Sequence, residues 1–247
     1  MIDSHPAFDF VRPILDQIDR HRLHDSLNAL ARNRGIDIAF VPPPEQRVSA
    51  VEYETRIAKK HELITANSWH DLFNACIWLT FPLTKRAISE LHVSLGTGID
   101  NRRPRRRDVL TLFDESGIVL LCNAPLCSKL QRFNEQHDWK ALFIDQRLTW
   151  REQVRPILFG HGALEQLATE WHRGLTVKAE WLEISPESAL DDVDQYMAAR
   201  VIQADLLREE DRRIPMPLLG VPNWFAENAQ PSCYDDSSIF RVKRVRR

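Results

Sequence analysis

Glycine is scarce in this chain, with 8 residues among 247. Loops that cradle phosphates use several closely spaced glycines, because a residue without a side chain lets the backbone approach the ligand closely. Neither the dinucleotide fingerprint G-x-G-x-x-G nor the P-loop pattern occurs in the sequence. The chain therefore lacks two standard signatures of nucleotide binding.

Long apolar runs are also missing. The most apolar stretch, residues 73–83, is interrupted by Asn74, Thr80 and Pro82 and is far shorter than the roughly 20 apolar residues that a membrane span needs. The first ten residues, MIDSHPAFDF, lack the basic start and the apolar core of a secretory signal. We therefore expect a cytoplasmic protein that does not cross a membrane.

The 4 cysteines show no Cys-x-x-Cys spacing. A cytosolic chain of this size needs no disulfide bonds, so we expect free thiols, two or three of them buried. The hydrophobic content of 43% is sufficient for an ordinary globular core. These features favour one globular domain that comprises residues 1–247.

The formal net charge is −2, but basic residues are concentrated in two places. Residues 102–107, RRPRRR, contain five arginines, and the last seven residues, RVKRVRR, contain five further basic side chains. Without these segments, 23 basic residues face 35 acidic ones. Because an acidic body disfavours sequence-independent binding to phosphate backbones, nucleic acid is not the expected main partner. The segment 241–247 is expected to be a frayed, solvated tail.

Two consecutive helices are predicted after residue 67. Ser68 is a typical N-cap residue, and Asp71 three positions later makes a shorter relative of the capping box. In WHDLFNACIWLT, His70 and Asn74 lie one turn apart beside an apolar face. Pro82 ends this helix and starts the next one, because its missing N–H costs nothing at the first position.

The second helix, PLTKRAISELHVSL, also has a polar face, which carries Lys85, Ser89 and His92. A guanidinium group grips a carboxylate or phosphate with two parallel hydrogen bonds, so the arginine run that follows is a candidate anion-binding segment. The residues expected to bind an anionic ligand are Lys85, Arg105, Arg107 and Asp108.

The segment RDVLTLFDESGIVLLC has two interpretations. It is either a hairpin that turns at DESG or a helix capped by Asp108 that runs to Ser116 and is followed by a strand. We favour the helix and strand. In both cases Asp114 and Glu115 lie at the end of an apolar element, either as turn formers or as ligands.

FGHGALE, residues 159–165, contains a histidine and a glutamate four positions apart. A buried helix from Ile157 is predicted here, and it places His161 and Glu165 on one face. Glycines cost about 1 kcal/mol each inside a helix, so Gly160 and Gly162 indicate that another element approaches the backbone closely. We expect that element to be the helix that starts after Ser68.

Strands are few. Residues 36–41, 118–122 and 175–184 are predicted to form a small sheet. The fold class expected from the sequence is therefore α+β, a mostly helical single domain with a small sheet.

The succession WHDLFNACIWLTFPLTKRAI, RRRDVLTLFDESG, LFGHGALE, LTVKAE, PMPLLGVPNW and YDDSSIFR resembles the family of bacterial proteins catalogued as domain of unknown function 3025. The resemblance runs from Trp69 to Arg241. It implies a bacterial origin and a single continuous domain, and it implies no reaction.

Residue chemistry supports two hypotheses from different classes. The first is a hydrolase-like enzyme with a divalent metal ion as the expected cofactor and an anionic small molecule as the substrate. The expected catalytic residues are His161, Glu165, His70 and Asn74, and the expected metal ligands are His161, Glu165, Asp114 and Glu115.

The second hypothesis is a non-catalytic protein that binds an anion, a protein or a nucleic acid through residues 102–107. A structural interpretation competes with both hypotheses. In it, the arginine run is a solvated loop, while His70 and His161 are core residues with satisfied hydrogen bonds. No feature of the sequence determines an oligomeric state.

Overall fold

A computed structural model describes residues 2–96, 105–203 and 215–243, apart from the side chain of Arg105. Within these residues the helices are α1 Arg12–Leu15, α2 Leu23–Asn33, α3 Ala50–Lys60, α4 Trp69–Thr80, α5 Pro82–Leu95, α6 Arg105–Ser116, α7 Leu126–Gln136, α8 Arg147–Gln153, α9 His161–Thr169 and α10 Leu190–Ile202. The strands are β1 Ala39–Val41, β2 Glu62–Ile64, β3 Gly117–Cys122, β4 Arg155–Ile157, β5 Thr176–Glu183 and β6 Pro215–Pro217. The mostly helical α+β class is thus confirmed.

The chain divides into two compact units. Among the described residues, unit 1 comprises 2–8, 113–188 and 215–243, and unit 2 comprises 9–96, 105–112 and 189–203. The prediction of a single domain stays a prediction. No helix within the described ranges is long and apolar enough to cross a membrane.

Unit 1 is built on a four-stranded sheet with the order β4, β3, β5, β6. The central strands β3 and β5 are parallel, and both outer strands run antiparallel to their neighbours. All six residues of β3 are buried. The uninterrupted run GIVLLC matches this position, because a strand covered on both faces needs no polar alternation.

Aromatic rings fill much of the remaining core of unit 1. They surround Phe143, which lies in the π-helical segment Lys140–Asp145 and is fully buried. The rings in contact with it are Trp139, Trp150, Tyr234 and Phe240. The Trp139 ring also donates a hydrogen bond to the carbonyl oxygen of Arg241, 2.8 Å away. The predicted frayed tail is therefore anchored at its first residue, and residues 244–247 lie outside the described part.

Unit 2 is helical and has a two-stranded parallel sheet of β1 and β2. Helix α5 packs against α3, α4 and α10. The Ser68 hydroxyl accepts a hydrogen bond from the Asp71 N–H at 3.1 Å, so the predicted N-cap of α4 is confirmed. Pro82 is the first residue of α5, as expected.

The N-terminus of α5 is capped from another helix. The carboxylate of Asp194 in α10 accepts hydrogen bonds from the backbone N–H groups of Leu83 at 2.9 Å and Thr84 at 2.8 Å. Asp194 is 2% exposed, and this burial raises the pKa of its carboxyl group, while the hydrogen bonds oppose the rise. The acid therefore supplies the cap that the sequence next to Pro82 does not provide.

Three sequence predictions about elements were wrong. The stretch 36–41 does not join 118–122 and 175–184, because β1 pairs with β2, a strand too short to stand out in the sequence. Ile157 ends a strand rather than starting a helix, and α9 begins only at His161. Asp108 is not the N-cap of α6, since that helix already begins at Arg105.

Candidate functional site

The site in unit 1 starts at the junction of α6 and β3. Helix α6 ends at Ser116 and β3 begins at Gly117, so the helix-then-strand interpretation is confirmed and the hairpin is wrong. A side chain at Gly117 would lie 2.5 Å from the carbonyl oxygen of Phe113 and 2.6 Å from its ring. Glycine is therefore required for this abrupt exit from the helix. Asp114 and Glu115 occupy the last turn of α6.

Helix α9 begins directly beside this junction. The N–H group of Gly160, its N-cap residue, donates a hydrogen bond of 2.8 Å to the carbonyl oxygen of Gly117. A Cβ atom at Gly160 would lie 2.5 Å from the Cα atom of Ser116 and 2.6 Å from the nitrogen of Gly117. The two backbones are thus in direct contact, and only glycine fits here.

The second glycine makes room for a carboxylate. A Cβ atom at Gly162 would lie 2.5 Å from Oε2 of Glu115 and 3.1 Å from its carbonyl oxygen. The predicted close approach to both glycines is therefore confirmed. The atoms that come closest to the two glycines belong to residues 115–117. That α4 is the neighbouring helix stays a prediction.

His161, the first residue of α9, lies between two carboxylates. Its Nδ1 atom is 3.9 Å from Oδ2 of Asp114, and its Nε2 atom is 3.6 Å from Oε2 of Glu115. The imidazole side chain is 4% exposed, against 20% for Asp114 and 43% for Glu115. The ring is thus buried, while the Glu115 carboxylate is accessible from solvent.

Two stacked aromatic rings come from the segments that carry the site residues. The rings of Phe113 and Phe159 stack with their centroids 4.9 Å apart and their planes 16° apart, and both side chains are fully buried. Phe113 comes just before the two carboxylates, and Phe159 comes two residues before His161. Buried apolar rings strengthen electrostatic interactions in their vicinity, because less water is present to screen them.

This geometry fits two ligands of one metal ion. Two atoms that bind zinc tetrahedrally at about 2.0–2.1 Å lie roughly 3.4 Å apart. Nε2 of His161 and Oε2 of Glu115 are 3.6 Å apart, close to that separation. Metal-bound histidines usually direct their second ring nitrogen at a carboxylate, and Asp114 occupies that side of the ring.

The structure thus brings together three of the residues predicted from the sequence, His161, Asp114 and Glu115. Glu165 is half-buried, one turn further along α9. His70 and Asn74 lie on α4 in unit 2, where the side-chain amide of Asn74 is 3.4 Å from the Tyr53 hydroxyl. The catalytic roles predicted for His70, Asn74 and Glu165 stay predictions.

The predicted anion-binding residues belong to unit 2. Lys85 and Arg107 are buried, and Asp108 is exposed in the first turn of α6. Arg107 donates hydrogen bonds to the carbonyl oxygen of Gly96 at 2.8 Å and to Nδ1 of His92 at 3.4 Å. The side chain of Arg105 and residues 102–104 lie outside the described part, so the predicted role of the arginine run stays a prediction.

Comparison with known proteins identifies the family. A family model described as "Protein of unknown function (DUF3025)" matches residues 38–244, which is most of the chain. The chain therefore belongs to this family. No curated protein and no solved structure matches it.

Proposed function

We propose that this member of the family is a hydrolase-like enzyme that uses a divalent metal ion to act on an anionic small molecule in the cytoplasm. His161 and Glu115 would be metal ligands. The observation that carries the proposal is the 3.6 Å separation between Nε2 of the buried His161 ring and Oε2 of Glu115. Four buried free cysteines are consistent with a reducing compartment.

Asp114 has a different part in this proposal. Its Oδ2 atom faces Nδ1 of His161 at 3.9 Å, so a modest movement of either side chain would form a hydrogen bond. Such a bond holds the proton on Nδ1 and leaves the lone pair of Nε2 for the metal. Asp114 is thus a positioning residue, and it also increases the basicity of the ring.

A bound metal ion would polarise the substrate and lower the pKa of a coordinated water to about 7. The residues of the chain would position the metal ion and the substrate. Gly162 admits the carboxylate of Glu115, and the stacked, buried rings of Phe113 and Phe159 belong to the segments that carry Asp114 and His161. The first turn of α9 adds a partial positive charge from its backbone N–H groups, which favours an anionic substrate.

Metal binding is tested by calorimetric titration of the metal-free full-length protein with Zn²⁺. We expect one site per chain, and we expect His161→Gln to weaken it at least about a hundredfold, since glutamine does not replace imidazole as a ligand. His172→Gln is the matched control, because His172 is exposed in the same unit. Equal affinity of the wild type and His161→Gln would overturn the proposal.

Hydrolysis is tested with the metal-loaded protein on a panel of small phosphate esters and carboxylate-bearing amides. We expect turnover of at least one anionic class and none of its neutral analogues. His161→Gln should abolish the turnover while the thermal unfolding temperature stays near that of the wild type. Metal binding without turnover of any anionic compound would refute the hydrolase and leave the metal site standing.

A further inference from the structure

Unit 2 contains a cavity of about 560 Å³ where α4 ends and α5 begins. Small-molecule sites in proteins are clefts of about 300–1,000 Å³, so this cavity is large enough for a metabolite. Three of the residues that line it, Leu79, Thr80 and Asp194, are buried. Further lining residues come from the segment 34–37, from α5 and from α10.

Arg34 places a positive charge at this cavity. Its Nη1 atom donates a hydrogen bond of 3.2 Å to the carbonyl oxygen of Leu79, in the last turn of α4. No carboxylate of the described residues pairs with it. A guanidinium group has five N–H donors, so one bond to a carbonyl oxygen orients the side chain and leaves donors for a ligand. A carboxylate suits these donors, because it accepts two parallel hydrogen bonds from guanidinium.

The second arginine at the cavity is paired within the protein. Arg86 donates a hydrogen bond of 2.9 Å to the carbonyl oxygen of Asp37, and its guanidinium lies 3.9 Å from the Asp37 carboxylate. Asp37 lines the same cavity, so this pair adds no net charge to it. Among the described lining residues, the excess positive charge therefore belongs to Arg34.

Helix α10 places negative charge at the same cavity. Asp191 and Gln195 are exposed and lie four residues apart, so they share one face of the helix. In the described part of the chain, Asp191 has no cationic partner and the Gln195 side chain makes no hydrogen bond. Burial raises the pKa of the Asp194 carboxyl group, and the negative charge of Asp191 adds to that rise. No cation of the described residues offsets the repulsion between these two carboxylates.

Arg34 and Asp191 thus carry opposite charges at one cavity, and they do not pair with each other. A ligand with a single charge would be matched by one of them and leave the other unpaired. A ligand with both charges would be matched by both. An ammonium group donates three hydrogen bonds, which the Asp191 carboxylate and the side-chain oxygen of Gln195 can accept.

We propose that this cavity binds a small zwitterion, that is, a molecule with a carboxylate at one end and an ammonium group at the other, as in an amino acid. Arg34 binds the carboxylate, and Asp191 and Gln195 bind the ammonium group. The site lies within unit 2 and does not depend on the metal site of unit 1.

The test is calorimetric titration of the full-length protein with glycine, 4-aminobutyrate and 6-aminohexanoate, in which the two charges lie progressively further apart. EDTA is present throughout, because amino acids also chelate metal ions and the outcome must not depend on the metal site. The amino acid that binds best is then compared with its two singly charged analogues, the acid without the amino group and the amine without the carboxylate.

Two variants remove one charge each from the cavity, Arg34→Gln and Asp191→Asn. Their matched controls are Arg32→Gln and Asp192→Asn, because Arg32 and Asp192 are exposed nearby in the chain and do not line this cavity. All four changes are at exposed positions, so the fold should persist in each variant.

We expect saturable binding of at least one amino acid and at least about tenfold weaker binding of both analogues. Arg34→Gln and Asp191→Asn should each weaken the amino acid at least about tenfold, while the controls match the wild type. Absence of saturable binding of all the amino acids, or an analogue that binds as tightly as the amino acid, would overturn the proposal. Equal affinities of either variant and its control would overturn it as well.

Discussion

Unit 1 buries a histidine between two carboxylates, whereas unit 2 buries a lysine and an arginine beside a histidine and a serine. Asp114 and Glu115 are acceptors when ionised, so the first group can hold a cation. The side chains of Lys85 and Arg107 are donors only, so the second group buries positive charge in unit 2. The comparison shows how an imidazole ring takes its function from its neighbours. Beside carboxylates His161 is suited to a metal, whereas Nδ1 of His92 accepts a hydrogen bond from the guanidinium group of Arg107.

The unit 1 site also depends on two glycines, Gly160 and Gly162. A Cβ atom added at each of them would contact different atoms. Gly160→Ala would drive a Cβ atom against backbone atoms of Ser116 and Gly117, which have no room to move. We expect this variant to lose about 3 kcal/mol or more of folding stability, or not to fold. Urea unfolding measures the loss. A stability equal to that of the wild type would show that the α6–β3 junction is not rigid.

Removal of the Asp114 carboxylate should weaken cation binding at the unit 1 site, although neither proposed metal ligand is removed. Asp114→Asn leaves His161 and Glu115 in place but takes away the negative charge that faces Nδ1. We expect the Zn²⁺ affinity to fall about 10- to 100-fold, as is usual for a residue that orients a metal-bound histidine. Asp138→Asn, at an exposed position in unit 1, is the control. An unchanged affinity for Asp114→Asn would remove Asp114 from the site.

Gly162→Ala should lower the Zn²⁺ affinity by less than the hundredfold upper limit that we expect for Asp114→Asn. The added Cβ atom would meet the flexible end of Glu115, so the carboxylate can move away and the fold survives. We expect about a tenfold loss of Zn²⁺ affinity and a stability change below about 1 kcal/mol. Calorimetry and urea unfolding give the two values. A large loss of stability with unchanged affinity would show that Gly162 serves packing alone.

Asp194 is an exception to the comparison, since it is an acid buried in unit 2 near the start of α5. Its folded-state pKa is raised above the usual 3.8, so the native state holds this proton more tightly than the unfolded chain. The contribution to stability is therefore greatest at acidic pH and is lost as the pH rises from 3.8 through the raised pKa.

The difference in unfolding free energy between the wild type and Asp194→Asn should therefore fall with pH, by at most about 1.4 kcal/mol per pH unit. It should level off above the raised folded-state pKa. Urea unfolding at a series of pH values measures this difference. An increase with pH would show that the two backbone hydrogen bonds outweigh burial at Asp194 and lower its pKa instead.

Local signals in the sequence were sufficient for some elements of the fold. Ser68 and Pro82 delimit α4 and α5 because caps and prolines act within one turn of the residues they affect. The segment before Gly117 was ambiguous, since a glycine there ends a helix as readily as it turns a hairpin. The structure resolves the ambiguity through the pairing of β3 with β5, a contact that no local pattern contains.

The candidate site was predicted in part. His161, Asp114 and Glu115 were identified from the sequence. Gly160 and Gly162 indicated that another element approaches the backbone closely. The contact of these glycines with residues 115–117 was not predicted, because it depends on β4, which pairs with β3 and carries the chain to Gly160. Pro156 and Ile157 look helical beside the apolar residues that follow, and only nonlocal strand pairing overrides this preference.

The central claim is that the side chains of His161 and Glu115 hold one divalent cation. Titration of the metal-free protein with Co²⁺, followed by its visible absorption, tests this claim directly, because the spectrum reports the ligands of the ion. We expect the wild type to give a saturable ligand-field band at one equivalent. Glu115→Gln should lose the band or shift it, while Glu170→Gln, an exposed control in the same unit, should match the wild type. An identical band in the wild type and Glu115→Gln, or no band in the wild type, would contradict the account.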